Sequence, residues 1–429
     1  MDDRQYIVAI EIANSRISGI AAVTDPLTRN TSLLGGIGEE PVSDCVRYGN
    51  IVNLEEVKDK VMTIIQDIER NARLAEPHTV AAAFVGISGR SLHSETVVIE
   101  KTINDFQQVN ETLIAKINRE AAEDFPDLDV VAIIPRSYEI DNKTVMNPVG
   151  AIGSRFKATL NVIVCKKTIE RSLRTVFDGL HLEMHPLITP LAVGDYVLTA
   201  EERRQGCMLV DIGAETTTTV IYKGDRLVYL NVLPMGSRNI TRDLMTLNLS
   251  EDLAESIKKK YGDAMPEPGS ASQIDVAGVN ADDITNYVRM RAEEIVENIS
   301  NQITLASLTS EQLPGGIIAV GRGMKMHGMT KLLEERTKLS VRKGVIPEAG
   351  SHTELNDRIQ LMSLLNAASK QIAEGQSCMV PQKAPEPEVE DEDEEKPEQK
   401  EQQPKKKKRG FFKRIADSLS DKIEKGMED

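Results

Sequence analysis

One pattern occurs twice in this chain and limits its fold more than any other. Tyr6-Ile7-Val8-Ala9-Ile10-Glu11-Ile12 is an apolar run, Ala13-Asn14-Ser15-Arg16 a polar turn, and 17–23 a second apolar run. About two hundred residues later Cys207-Met208-Leu209-Val210-Asp211-Ile212, the turn Gly213-Ala214-Glu215-Thr216 and 217–222 repeat the order. The last run is rich in β-branched residues, which favour strands. Each unit carries an acid, Glu11 or Asp211, near the end of its first run. The echo implies two related halves that each open with a β-hairpin, although hydrophobic hairpins also recur by coincidence. Between and after them, strand-like runs at 80–87, 130–135, 158–165 and 316–320 are mixed with helical periodicity. Helices are predicted at 54–72, 111–124, 167–180, 238–247, 250–261 and 281–307. This mixture predicts an α/β class.

Length and charge narrow the function. At about 150 residues per domain, 429 residues allow roughly two to four domains. The net charge of -15 is unevenly spread. From 383 to 404 there are ten acidic side chains and three lysines; from 405 to 429 there are nine basic and five acidic, leaving -12 for the body. An acidic body repels phosphodiester backbones, so no nucleic-acid partner is expected. No apolar run reaches the ~18 residues that span a bilayer. Met1-Asp2-Asp3-Arg4 lacks the basic start of a secretory signal. Cys45, Cys165, Cys207 and Cys378 are far apart, which argues against a disulfide or metal framework and fits a reducing cytoplasm.

The tail reads as two devices. The 381–404 segment is dominated by Pro, Glu, Asp, Lys and Gln, cannot bury enough apolar surface to order itself, and is predicted to be an extended linker. Lys405, Lys406, Lys407, Lys408 and Arg409 then precede a helical pattern. At ~100° per residue, Phe411, Phe412, Ile415, Leu419 and Ile423 share one arc, with Ala416 and Met427 beside them. Basic flanks beside an apolar face suit a helix lying in an anionic membrane surface. Docking on a protein would need only the apolar face, and a nucleic-acid or nuclear-localisation patch would not need the phenylalanines.

The two turns are also the candidate phosphate loops. Glycine turns after a strand bring backbone N–H groups to phosphates, and hydroxyls add donors. Gly213 and Thr216 supply these elements, and Asp211 is placed to hold a Mg²⁺-bound water. Glu255 and Lys258 share one helix face at i, i+3, which alone reads equally as a solvated pair.

These residues, with two longer stretches, resemble the FtsA family of bacterial cell-division proteins, within the actin, sugar-kinase and heat-shock-chaperone superfamily. Ile134-Pro135-Arg136-Ser137-Tyr138-Glu139-Ile140-Asp141 and Asn147-Pro148-Val149-Gly150-Ala151-Ile152-Gly153 look like its I-P-x-x-Y-x-I-D and N-P-x-G-x-x-G stretches. Ala254-Glu255-Ser256-Ile257-Lys258 is similar to its A-E-x-I-K helix, and Arg291-Ala292-Glu293-Glu294-Ile295 to its R-x-x-E-I/L helix. The resemblance covers 5–375 and the tail.

It implies an actin-like, two-lobed ATPase fold. Lobe 1 is expected at 1–78 and 167–198 with 350–380 returning, and an inserted α/β subdomain for subunit contacts at 79–166. The lobe 2 core is expected at 199–235 and 308–349, with an outer subdomain at 236–307. ATP with Mg²⁺ is implied in the cleft, facing Asn14, Ser15 and Arg16 on one side and Asp211, Gly213 and Thr216 on the other. Gly236, Glu255 and Lys258, with Gly321 and Gly323, are implied on the nucleoside side. The implied partners are the FtsZ C-terminal peptide, with Arg291 as a contact, further copies of the chain, other division proteins and the cytoplasmic face of the membrane at the septum.

The loops depart from the family pattern. Ala13 and Ala214 stand where glycine is usual, and Gly321-Arg322-Gly323 replaces a plainer glycine turn. Glu215 puts a negative charge beside the phosphates. Two unit charges ~4 Å apart interact by about 4 kcal/mol at an effective dielectric of 20, unless Mg²⁺ or Arg16 offsets it or the side chain turns away. The expectation is therefore a non-catalytic or weakly ATPase membrane tether for FtsZ filaments. The alternatives are a PilM-like pilus-assembly protein and a sugar kinase of the same superfamily.

Overall fold

The computed structural model describes residues 5–25, 28, 30–72, 74–103, 108–267, 278–347, 353–373 and 375–382. The linker and amphipathic tip expected at 381–404 and 405–429 lie outside the described residues from Lys383 onward.

Lobe 1 begins with β1 (Gln5–Ile12) and β2 (Arg16–Thr24), followed by β3 (Thr31–Leu33), β4 (Gly38–Pro41), β5 (Val46–Arg47) and β6 (Asn50–Ile51). Helix α1 (Leu54–Asn71), β7 (His78–Val80) and β8 (Ala82–Ile87) complete its first pass. Helix α1 forms where the 3.6-residue period placed it: Val57, Val61, Ile64, Ile65 and Ile68 are buried, and the Asn53 side chain caps the Glu56 N–H. The insert comprises β9 (His93–Thr102), α2 (Glu111–Glu123), β10 (Leu128–Ile140), β11 (Lys143–Val145) and β12 (Arg155–Lys166). The chain returns to lobe 1 through α3 (Lys167–Asp178), β13 (Glu183–Ile188) and α4 (Thr189–Val197). Lobe 2 follows with α5 (Ala200–Gln205), β14 (Cys207–Ile212), β15 (Thr217–Lys223) and β16 (Arg226–Leu233). Its helices α6 (Ser237–Met245), α7 (Glu251–Tyr261) and α8 (Ala281–Leu305) precede β17 (Ile317–Val320), α9 (Met329–Thr337) and β18 (Val341–Lys343). Finally α10 (Ile359–Gln371) and β19 (Met379–Pro381) come back to lobe 1.

The repeated sequence unit becomes a repeated sheet plan. In lobe 1 the order is β13-β8-β1-β2-β3, with β1 antiparallel to β2 and parallel to β8. In lobe 2, β18-β17-β14-β15-β16 has the same plan, with β14 antiparallel to β15 and parallel to β17. The expected insert boundary at Thr79 needs correction. The all-apolar face of β8 sits between β1 and β13, and β7 pairs with β19, so the insert starts only after Ile87. A strand buried on both faces belongs to the parallel sheet that covers it.

The insert has its own core, including Phe156, Leu160, Ile117 and Tyr138. Its strand β12 alternates, with Val162 and Val164 in that core and Ile163 and Cys165 in the lobe 1 core. The insert also extends the lobe 2 sheet. β9 meets β16 at His93 and Asn231, Asn161 Nδ2 donates to the Leu227 carbonyl at 2.5 Å, and Arg226 Nη1 donates to the Arg136 carbonyl at 2.6 Å. All four cysteines are buried and unpaired.

The ring of Phe156 is fully buried and lies against Tyr138 at a centroid distance of 5.7 Å. Phe156→Ala is expected to cost about 3–5 kcal/mol of local stability. Hydrogen exchange should show protection lost across β9–β12 and retained in β14–β17.

Candidate functional site

The two hairpin turns close in the same way. Ala13 N donates to the Arg16 carbonyl at 2.9 Å, and Gly213 N to the Thr216 carbonyl at 2.9 Å. In register, Glu11 faces Ser18 and Asp211 faces Thr218, so the two acids occupy equivalent places in the two lobes. They also approach each other. Burial pushes the Glu11 carboxyl up from 4.5 to about 7, against the pull of Arg16 and with the Asp211 charge adding to the rise. Burial likewise raises Asp211, whose Oδ2 accepts from Gln360 Nε2 at 2.7 Å. Gln360 is on α10, which packs on β1, so this bond joins the lobes. Asp211 Oδ1 is buried without a hydrogen-bond partner.

What lies between the turns was not expected. The strands β5 and β6 are joined by the two-residue turn Tyr48-Gly49, with φ of 51° and 77°. Two positive φ values mark the hairpin turn that matches strand twist. Gly49 is required because a Cβ there would lie 2.3 Å from Gly89 Cα. Gly49 N donates to Asn14 Oδ1 at 2.7 Å, and Tyr48 N donates to Glu215 Oε2 at 2.8 Å. The hairpin tip is thus held by one turn from each lobe.

Glu215 is the centre of this contact and is completely buried. Its Oε1 accepts from Arg47 Nε at 2.9 Å and Arg242 Nη2 at 2.5 Å, with Arg238 Nη1 3.6 Å away. Arg238 and Arg242 stand four residues apart on α6 and so face the same point. Arg242 Nη1 also donates to Tyr48 Oη at 3.1 Å, and the guanidinium groups of Arg47, Arg90 and Arg242 lie 5.6–5.9 Å from the Tyr48 ring centre. The side chain has therefore turned into a cationic pocket, not outward to solvent.

Arg16 is not its counterion. It is buried, donates from Nη2 to the Asp357 carbonyl at 2.7 Å, and has Nη1 3.9 Å from Glu39. The first-turn side chain tied to the hairpin that also holds Glu215 is Asn14, through the Gly49 N–H. Ser15 lies half-buried in the turn, with its carbonyl accepting from Val42 N, and Thr216 is half-buried in the other. Gly236 caps α6 against the second turn, where a Cβ would meet the Ala214 and Gly213 oxygens at 2.6 and 2.7 Å. Gly321, with φ of 89°, lets the chain pass over Asp211; a Cβ there would lie 2.4 Å from Asp211 Oδ1. A Cβ on Gly323 would meet the Ile212 side chain at 2.3 Å.

Glu255 and Lys258 are not a solvated pair. Lys258 is buried, and its Nζ donates to Glu255 Oε2 at 2.6 Å, Thr241 Oγ1 at 2.9 Å and the Ser237 carbonyl at 3.1 Å. Burial lowers the Lys258 pKa while Glu255 opposes the fall. The pair fastens α7 to α6. Arg291 is also engaged: Nε and Nη2 grip both oxygens of Asp243 at 2.6 and 2.9 Å, and Nη1 contacts Glu294. Arg291 thus ties α8 to α6, with its side chain still partly exposed.

The donors around Glu215 suit an anion, so this part of the site fits a phosphate group once the carboxylate moves; while it stays, the donors are satisfied. For Mg²⁺, the unpartnered Asp211 Oδ1 fits a metal-bound water, although among the described residues no group of three or more His, Cys, Asp or Glu side chains is arranged to hold a metal ion. Sequence reasoning missed Arg47, Tyr48, Gly49, Arg238, Arg242 and Gln360. The available signal was the Gly49 hairpin turn and the i, i+4 arginines following Gly236.

Two lobes of one plan, with paired turns facing across a cleft, define an actin-like ATPase fold. Solved structures agree at the level of fold. The PilM of a PilM–PilN type IV pilus biogenesis complex superposes with a TM-score of 0.61 at 15% identity, covering 85% of this chain and 99% of its own. MreB 5 of Spiroplasma citri bound to AMPPNP gives 0.50 at 12%, covering 85% and 97%. The sequence is more specific. The model for cell division protein FtsA matches residues 208–368, and the model for the SHS2 domain inserted in FtsA matches 89–164. Cell division protein FtsA of Porphyromonas gingivalis is 27% identical over 352 residues, covering 77% of this chain and 72% of its own. That of Pseudomonas aeruginosa is 29% identical over 357 residues, covering 80% and 83%. The chain belongs to the FtsA family of bacterial cell-division proteins.

Two outcomes follow from the site. Glu11 binds its proton more tightly in the folded chain, so its contribution to stability is complete below about pH 4.5 and is lost as pH rises through about 7. Glu11→Gln should flatten the decline in stability between about pH 5 and pH 8 by roughly 2–3 kcal/mol, as read by urea unfolding. Arg291→Ala should cost about 1–2 kcal/mol in the same assay, since it removes a bidentate, part-buried ion pair.

Proposed function

We propose that this division protein is a peripheral tether. Its actin-like body self-associates, its outer lobe 2 subdomain takes the FtsZ C-terminal peptide, and its 405–429 tail holds the assembly to the cytoplasmic face of the membrane at the septum. One observation carries the reading: a body of the FtsA family is followed in the same chain by an acidic linker, a Lys-Lys-Lys-Lys-Arg run and an amphipathic pattern. The basic flank and apolar face of 405–429 support attachment to the membrane surface. Phe411, Phe412, Ile415, Leu419 and Ile423, half-buried at the interface, would supply about 4–7 kcal/mol. Each basic residue near anionic lipid adds about 1 kcal/mol. Ordering a short helix subtracts from this, so attachment is reversible and is strengthened by avidity.

Self-association is supported by apolar side chains exposed on the insert, Val98, Met146, Val149 and Ile152. The reading keeps ATP with Mg²⁺ as the ligand of the cleft, bound weakly because Glu215 fills the anion pocket, and gives the protein at most a weak ATPase activity. A PilM-like role has fold likeness alone in its favour, and a sugar-kinase role has no motif of its own in this chain.

The test is co-pelleting with vesicles and FtsZ. The full chain should bring FtsZ down with anionic vesicles, less so as salt rises. A chain lacking 405–429 should lose roughly tenfold or more of its vesicle binding while keeping its melting temperature. Equal pelleting of the two proteins would end the tether reading.

A further inference from the structure

Three guanidinium groups surround the one buried carboxylate of Glu215. Arg47, Arg242 and the Tyr48 N–H donate to this carboxylate, and Arg238, whose Nη1 donates to the Ser43 carbonyl at 3.4 Å, stands 3.6 Å from it. The other acids that touch these arginines do so from outside: Asp44 meets Arg47 at 3.2 Å and Glu251 meets Arg238 at 3.7 Å, with side chains 83% and 58% exposed. Exposed pairs neutralise little. A phosphate group carries up to two charges and three acceptor oxygens, and it matches several guanidinium groups better than one carboxylate does. The pocket also lies beside the second phosphate turn, since Glu215 is part of that turn and α6, which carries two of the arginines, starts on it through Ser237 N to the Gly213 carbonyl.

We propose that Arg47, Arg238, Arg242 and the Tyr48 N–H form a polyphosphate subsite of the interlobe cleft, and that Glu215 is its resident internal ligand. This rests on the reading of the cleft as a nucleotide site. Glu215 latches the second turn to the lobe 1 hairpin, and a polyphosphate binds by displacing it. An internal competitor lowers apparent affinity by the fraction of time the pocket is free. A purely structural clasp would have the same bonds, but it would not respond to a polyphosphate.

The experiment is calorimetry of the full chain, Glu215→Gly and Glu215→Gln, each titrated with pyrophosphate and with ATP, alongside thermal unfolding. Glu215→Gln keeps the side-chain shape and guards against misfolding of the glycine variant. Both variants are expected to bind pyrophosphate and ATP roughly tenfold or more tightly than the unaltered chain. Both should also melt lower without ligand and be restored by pyrophosphate, and Arg242→Gln added to either should reverse the gain. Equal pyrophosphate binding by all three proteins overturns the proposal. If all three bind ATP equally and none binds pyrophosphate, the proposal falls and the nucleotide cleft stands. If none binds either, both fall. Tighter pyrophosphate binding by the variants with no ATP binding by any protein supports the subsite and removes the nucleoside part of the cleft.

Discussion

A fully buried carboxylate joins the lobes of this protein. Glu215 would be costly to remove from water alone, and it is tolerated because arginines from α6 and from the β5–β6 hairpin, with a backbone N–H, satisfy it. The geometry around it follows. The hairpin must turn with two positive φ values, so its second turn residue is Gly49, packed on Gly89. Gly236 must lack a side chain so that α6 can start against the same turn. Lys258, Glu255 and Arg291 then hold α7 and α8 to α6, so these three residues support the cleft from behind.

The two lobes show how one plan supports different chemistry. Their hairpins share strand order, turn closure and an acid near the end of the first strand. They differ in the turn side chains. In lobe 1, Asn14 accepts from the Gly49 N–H, while Arg16 is drawn back to the Asp357 carbonyl. In lobe 2, Glu215 reaches the cations. Burial raises both Glu11 and Asp211, and for Glu11, pushed up to about 7, the Asp211 charge adds to the rise while Arg16 opposes it. The cleft therefore combines a cationic pocket with two raised carboxyls a short distance along the strands.

The elements with strong periodicity were legible. The five buried positions of α1 and both hairpins follow from residue order, because burial of an apolar stripe or alternation is a local property. The insert boundary was misplaced because β8 is apolar on both faces and its neighbours are β1 and β13, remote in sequence. Strand β9 was overlooked because Glu95 and Glu100 interrupt its apolar run, one on each face. At the site, Asp211 and the glycines were identified by position. Arg47 and Arg242 were not, since they lie 168 and 27 residues from the carboxylate they meet.

By itself the sequence determined the α/β class, the two-fold repeat, the family and the separation of an acidic linker from a basic amphipathic tip, because each is a property of residue order or composition within a segment. Only the tertiary structure decided which charges meet. Glu215 read as a negative charge beside the phosphates that Mg²⁺, Arg16 or a turned side chain would relieve, and Arg291 as a partner contact. In the folded chain Glu215 is held by Arg47 and Arg242, Arg16 by the Asp357 carbonyl and Arg291 by Asp243. The reason is physical: a charged side chain near a protein interior takes the partner that packing places within about 3 Å, and that choice spans the whole chain.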